Sequence, residues 1–232
     1  MALELTYGAD QYAVFAQRCT PSCLLDAHHF GALGGTAPTL CSIPAPTALD
    51  YSAGRFANGL DVVLHPNHSG SCDGIVDLDV SSNGLSEASF ADLNVTLLSA
   101  LRRIDLSNNN FTSCPDFSDF RAHGIKLTID LSNNVITDCA RGVFCGLELQ
   151  ELNLGHNRLG AESGGVINIG DWFECSGNGR VRRDAAVLAR VINLVGNTDL
   201  SSIADAGSLA VDALSVAGSN MSNMHSLPGN CL

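Results

Sequence analysis

The chain is poor in aromatic residues, which make up 6% of its 232 residues and include a single tryptophan. A core of Leu, Ile, Val and Ala with few rings suits a regular stack better than an irregular globule. Basic residues are also scarce: 12 Lys and Arg stand against 24 Asp and Glu, net charge −12, and Lys126 is the only lysine. Such a chain repels phosphate backbones and anionic membrane surfaces, which excludes a nucleic-acid partner and basic-patch membrane docking. No stretch reaches the roughly 18 uninterrupted apolar residues of a transmembrane helix. Residues 1–17 lack the apolar run of a secretory signal, so no signal peptide is expected in this chain. G-x-S-x-G, H-E-x-x-H and P-loop motifs are all missing, and Glu151 and His156 are joined by no nucleophile or metal set, so no catalytic residue is expected. No C-x-x-C pair occurs. Cys19 and Cys23, close to His28 and His29, have no second ligand pair at matching spacing, so no metal site is expected there.

Cysteine itself is abundant. Nine residues in a chain of this length favour an oxidising compartment. The odd count leaves at least one thiol free, intermolecular, or paired outside this chain. Asn-x-Ser/Thr sequons stand at Asn67, Asn94, Asn110 and Asn220. Cysteines and sequons together point to an extracellular or cell-surface protein.

The dominant feature is a repeat, L-x-x-L-x-L-x-x-N-x-L. Clear copies start at Ile75, Leu101, Lys126 and Leu149, with Lys126 standing where the first apolar residue belongs. Looser copies start at Ala189, whose last apolar residue slips to Leu200, and at Val211, where Ser219 replaces the Asn. The steps between starts are 26, 25, 23, 40 and 22 residues, and five copies keep Asn at one offset, as Asn83, Asn109, Asn134, Asn157 and Asn197.

The physics of the pattern is direct. The x-L-x-L-x core alternates with period two and reads as a short strand, apolar residues inward and x residues outward. The Asn follows where the chain turns, and its amide can bond turn backbone. One repeat cannot bury its apolar face, so repeats stack into one parallel sheet. Phe90, Phe144 and either Phe117 or Phe120 are expected to fill the core from the return segments.

The segments Ile104-Asp-Leu-Ser-Asn-Asn-Asn-Phe-Thr112 and Gly142-Val-Phe-Cys-Gly-Leu-Glu-Leu-Gln-Glu-Leu-Asn-Leu-Gly-His-Asn-Arg-Leu159 resemble extracellular leucine-rich-repeat proteins, both receptor ectodomains and plant-type secreted forms. The match runs from about 75 to 221. It departs from the plant type in lacking Gly-x-Ile-Pro after each repeat, and from any regular array between 160 and 188. The resemblance implies an α/β solenoid of about six repeats, with a parallel sheet on the concave face and short or irregular convex segments. It also implies a disulfide-rich N-terminal cap over residues 1–71, closed by Cys19, Cys23, Cys41 and Cys72. The repeats then occupy 72–221, with an irregular insertion at 160–188, and 222–232 is a short C-terminal cap. Within the first segment, 12–18 reads as a helix, 60–64 as a strand, and the Gly- and Pro-rich 33–48 as loop.

Cys114 and Cys139 both lie 13 residues after their repeat starts. Equivalent positions in stacked repeats are neighbours at about the Cα spacing a disulfide needs, so a 114–139 bridge is expected. Cys145, Cys175 and Cys231 cannot all pair internally, and Cys145–Cys175 is the expected pair. The insertion, with Trp172, Phe173, Cys175 and Arg180, Arg182 and Arg183, reads either as a degenerate repeat with a surface loop or as a protruding recognition loop.

The middle outward positions form a ladder of Asp79, Asp105, Asp130, Asn153, Asn193 and Ser215. Three successive carboxylates repel unless solvated or counter-charged. The ladder therefore reads as a solubilising stripe, or as a site for Ca²⁺ or a basic partner, with Arg102 and Arg103 beside Asp105. The expected binding face comprises Asp79, Arg102, Arg103, Asp105, Asp130, Gln150, Asn153 and His156. No cofactor other than Ca²⁺ is suggested. The expected function is recognition of a protein or glycan, the alternative being a structural subunit that self-assembles or joins a larger complex.

Overall fold

A computed structural model describes residues 48–50, 76–91, 100–117, 120, 126–175, 189–204 and 211–221. The expected helix at 12–18, the strand at 60–64, Cys19, Cys23, Cys41, Cys72 and Cys231, and the segment 222–232 lie outside them.

Seven parallel strands form one sheet. They are β1 (Ala48–Asp50), β2 (Asp77–Asp79), β3 (Arg103–Asp105), β4 (Lys126–Asp130), β5 (Glu148–Asn153), β7 (Ala189–Asn193) and β9 (Val211–Ser215), stacked in chain order. Two short strands, β6 (Val166–Ile167) and β8 (Ser202–Ile203), pair in parallel as a second, separate sheet. Single-turn helices α1 (Glu87–Ala91) and α2 (Ile169–Trp172) belong to the return segments. The architecture is the expected parallel solenoid, one strand per turn.

Register explains the burial. Leu78, Ile104, Ile129, Leu152, Ile192 and Leu214 are successive partners across the sheet, and all are buried. Leu or Ile is therefore required at each, because every fully buried aliphatic side chain contributes roughly 1.5–3 kcal/mol. Beneath them runs a column of rings. Phe90 lies 4.9 Å from Phe117, Phe117 lies 5.7 Å from Phe144, and Phe144 lies 5.5 Å from Phe173. Phe117 takes the third return's place in this column; Phe120 is also buried and packs on it at 5.8 Å.

The consensus asparagines are the second organising element. Asn134 is typical: its Nδ2 donates to the carbonyls of Leu131 and Ser132 in its own turn and of Leu106 in the preceding one. Its Oδ1 accepts from the Phe111 amide. Asn109, Asn157 and Asn197 each donate back in the same way, to Val80, Leu131 and Leu154, and accept from the previous turn. Buried backbone groups that no strand can satisfy find their partners here. Ser219, in the sixth copy, substitutes weakly, its hydroxyl donating to the Leu194 carbonyl at 3.3 Å.

Two expectations need correction. Residue 48 does not end a loop: Ala48–Asp50 pairs in parallel with Asp77–Asp79, so the sheet begins one strand before the first recognisable repeat. Lys126 does not fill an apolar slot. It is exposed, and Leu127 is the buried residue that pairs with Leu149. The third copy is one residue short, and the sheet absorbs the deficit as a bulge that leaves Gln150 unmatched between Leu149 and Glu151. Of the insertion, the part up to Cys175 packs on the return side of the solenoid. Trp172 and Phe173 are buried, the Trp172 indole donates to Asp138, and β6 and α2 extend the return side. Residues 176–188, with Arg180, Arg182 and Arg183, lie outside the described part.

Both expected disulfides are present among the described residues. Cys114–Cys139 joins neighbouring returns with Cα atoms 4.7 Å apart, and Cys145–Cys175 ties the insertion to the fourth return at 5.0 Å.

Candidate functional site

The outward face of the sheet is built of columns. Asp79, Asp105, Asp130, Asn153, Asn193 and Ser215 are register partners in sequence, and Asp50 precedes them in the same row. The ladder read from the sequence is therefore real and one rung longer.

Its chemistry is largely internal. The Oδ1 atoms of Asp79, Asp105 and Asp130 accept from the amides of Ser81, Ser107 and Ser132, at 3.0, 3.0 and 2.9 Å. Asn153 and Asn193 do the same for Gly155 and Val195. Each side chain thus closes an Asx turn at the end of its own strand, a task that Asp and Asn perform equally well. The second oxygens are also engaged at two rungs. Asp105 Oδ2 accepts from Arg103 at 2.8 Å, and Asp130 Oδ2 accepts from Asn153 Nδ2 at 3.0 Å. The Asn193 amide continues the chain by donating to Asn153 Oδ1 at 3.0 Å. Like charges one strand apart at Asp79, Asp105 and Asp130 are tolerated because each of these carboxylates faces amide donors and the row changes to Asn at Asn153. Among the described residues, no three His, Cys, Asp or Glu side chains gather into a group that could hold a metal ion.

The turn that follows each strand needs a left-handed residue. Ser82, Asn108, Asn133 and His156 have φ of 58°, 54°, 54° and 55°, and Gly196 and Gly218 take the same place in later turns. The amides of these residues donate in order to the next turn's backbone, His156 to Val195 and Gly196 to Ala217. His156 consequently belongs to the rim and not to the strand face. It is exposed, and its ring lies against Gly196, where an added Cβ would collide with it.

Side chains free to meet a partner stand beside the ladder. Arg102, Lys126, Gln150, Arg190 and Asp212 are exposed, and Asp77, Arg103, Thr128, Glu151, Val191 and Ala213 form a half-buried column in register. Arg190 and Asp212 approach to 4.0 Å, both well exposed, an arrangement worth little energy. Of the face expected from the sequence, the structure brings together Asp79, Arg102, Arg103, Asp105, Asp130, Gln150 and Asn153. Of the Asp77-to-Ala213 column, the face expected from the sequence held only Arg103. Its signal was available: it sits two residues before each ladder position, one period-two step along the strand.

Of the four sequons, Asn110 and Asn220 are exposed, and Asn67 and Asn94 lie outside the described residues. Among the described acids, Glu87 on the return side departs from its ordinary value. Burial pushes its carboxyl up, but the amides of Ser113 and Thr112 and the Thr112 hydroxyl together hold it below its ordinary value.

Residues 99–159 match the family model for the leucine rich repeat. Neither a search of curated proteins nor a search of solved structures found a match. The match covers the most regular turns, β3 to β5, and the fold around them is a leucine-rich-repeat solenoid.

Proposed function

We propose that this solenoid is an extracellular recognition module that binds a protein partner through the outward face of its sheet. Leucine-rich repeats commonly serve protein recognition, and here one observation carries the reading. The exposed side chains of Arg102, Lys126, Gln150, Arg190 and Asp212 stand on or beside strands whose ladder side chains and turns are already hydrogen-bonded. A partner therefore meets side chains on a rigid, pre-organised template and pays little ordering entropy in the backbone. Two disulfides, and the absence of any helix among the described residues long and apolar enough to cross a membrane, support an extracellular or cell-surface setting.

The test is a face variant, Arg102→Glu with Lys126→Glu and Arg190→Glu, compared with the native chain in partner co-purification from native material. Loss of the partner at an unchanged melting temperature is expected. Retention of the partner by the face variant would reject the sheet face as the binding surface. Light scattering on the purified chain distinguishes a monomeric binder from a self-assembling structural subunit, and concentration-dependent growth in mass would favour the latter. Because the aspartates serve their turns, calcium titration is expected to leave the melting temperature unchanged; a rise would reassign the ladder to the cation.

A further inference from the structure

The two exposed sequons occupy the same place in their repeats. Asn110 follows the consensus Asn109, and Asn220 follows Ser219, which stands in the consensus slot. The residues immediately after the consensus position form one column down a flank of the solenoid: Gly84, Asn110, Val135, Arg158, Thr198 and Asn220, every one exposed. The column is fixed by backbone, since the amides of Asn110, Val135 and Arg158 donate in turn to Leu85, Phe111 and Ile136 of the turn before. Four strand spacings separate β3 from β9, placing Asn110 and Asn220 about 19 Å apart along the stack.

On the extracellular reading given above, we propose that this flank is a glycan-bearing edge, with Asn110 and Asn220 as acceptors of N-linked oligosaccharide whenever the chain passes through a eukaryotic secretory route. Asn110 is open to modification. Its Nδ2 makes only a long 3.4 Å contact, to the Gly84 carbonyl, and the neighbour in the column is glycine, so no side chain shadows it. The next position in the column is Val135, itself 44% exposed. In the transfer, the Asn amide nitrogen loses a proton and bonds the anomeric carbon of a lipid-pyrophosphate-linked oligosaccharide. The bond from that carbon to the pyrophosphate oxygen breaks, and the lipid pyrophosphate leaves; no redox partner is needed. Polar chains on this flank cover Val135 and bar edge-on packing there, while the outward columns of the sheet lie on a different side of each turn and stay accessible.

The column makes a specific demand on a third position. Val135→Asn places an acceptor two residues before the native Thr137. The full chain, exported from cultured eukaryotic cells behind a heterologous leader, is treated with peptide N-glycosidase in heavy-oxygen water and mapped by peptide mass spectrometry. Occupied Asn110 and Asn220, loss of one glycan each in Asn110→Gln and Asn220→Gln, and gain of one in the secreted Val135→Asn variant are expected. A bare Asn110 in the secreted native chain overturns the proposal, whatever the variants show. A secreted Val135→Asn chain with no added glycan also overturns it, because the flank would then not be open between its two ends. Chain from its natural source that is bare, while the exported chain carries both glycans, supports the edge and removes the extracellular reading, so the two failures are separable.

Discussion

The turns between Leu101 and Leu159 and the insertion that follows solve one packing problem with different amounts of chain. In the regular turns, a strand, an Asx turn, a buried Asn and a ring-bearing return occupy 23 to 26 residues. The next step takes 40. Yet the fifth turn sits directly on the fourth: β7 pairs with β5, and Asn197 reaches across to the Leu154 carbonyl and the Leu159 amide. The extra residues are accommodated on the return side, where β6, α2, Trp172 and Phe173 add a layer without disturbing the sheet. The difference teaches where a solenoid has latitude. Strand and asparagine positions are bound to both neighbours through backbone hydrogen bonds, whereas a return segment has only to deliver apolar volume.

The largest expected effect lies where the two regions meet. Phe144 is the ring between Phe117 of the regular stack and Phe173 of the insertion, and it is fully buried. Phe144→Ala should cost about 3–5 kcal/mol, measured by denaturant unfolding, and should loosen both regions in hydrogen exchange. Phe173→Ala should cost less and leave exchange in β3 to β5 unchanged. Equal effects from the two substitutions would mean that the insertion is as much a part of the cooperative core as the regular turns.

The disulfides sharpen the comparison next. They close loops of similar span, 25 residues for Cys114–Cys139 and 30 for Cys145–Cys175. Chain-entropy reasoning assigns each about 3.5 kcal/mol. Similar losses of melting temperature are therefore expected from the two double Cys→Ala variants. Limited proteolysis should separate them: cleavage near 166–175 is expected only when Cys145–Cys175 is removed. Identical cleavage patterns would contradict a separately tethered insertion.

A smaller effect tests the asparagine ladder. Asn134→Ala strips partners from three carbonyls and the Phe111 amide, a cost of about 1–3 kcal/mol by thermal melting. Asn197→Ala should match it despite the longer step, if the ladder ignores the insertion. Ser219→Asn should raise stability by up to about 1 kcal/mol, because the sixth turn's serine supplies one weak bond where other turns have several.

These contrasts also explain what the sequence disclosed. The Leu and Asn periodicity was legible because each such position does the same local task in every turn, so one residue type is demanded at one offset. The pairing of Cys114 with Cys139 followed from that offset. Phe173 was not legible as part of the ring column, because the return side imposes no fixed spacing. Strand β1 was hidden for a similar reason: Ala48-Leu49-Asp50 supplies only the third to fifth positions of the pattern, in a Pro- and Gly-rich setting, with Gly54 in the Asn slot. Lys126 misled because a one-residue deficit is absorbed by a bulge at Gln150, and a strict template places it on the wrong side of the strand. The aspartate ladder was visible, but its purpose was not. A charged outward row reads as available for ligands until the Asx turns show where its oxygens go.

The smallest expected effect concerns the return side of the regular region. Glu87 Oε1 accepts from the amides of Thr112 and Ser113, both at 2.6 Å, and from the Thr112 hydroxyl at 3.0 Å, so one carboxylate fastens the first described return to the next. Burial opposes the charge, yet these donors prevail and hold the Glu87 pKa below its ordinary value. The ionised form is thus the one the fold prefers. The stability it contributes is fully present above the unfolded-state pKa and is lost as pH falls through the lower folded-state value. Because Glu87 is only partly buried, solvent screening keeps this contribution below about 1 kcal/mol. Native chain and Glu87→Gln should therefore differ slightly in melting temperature at neutral pH, and the gap should close on acidification. A gap that widened toward low pH would show that the carboxyl is held in its protonated form.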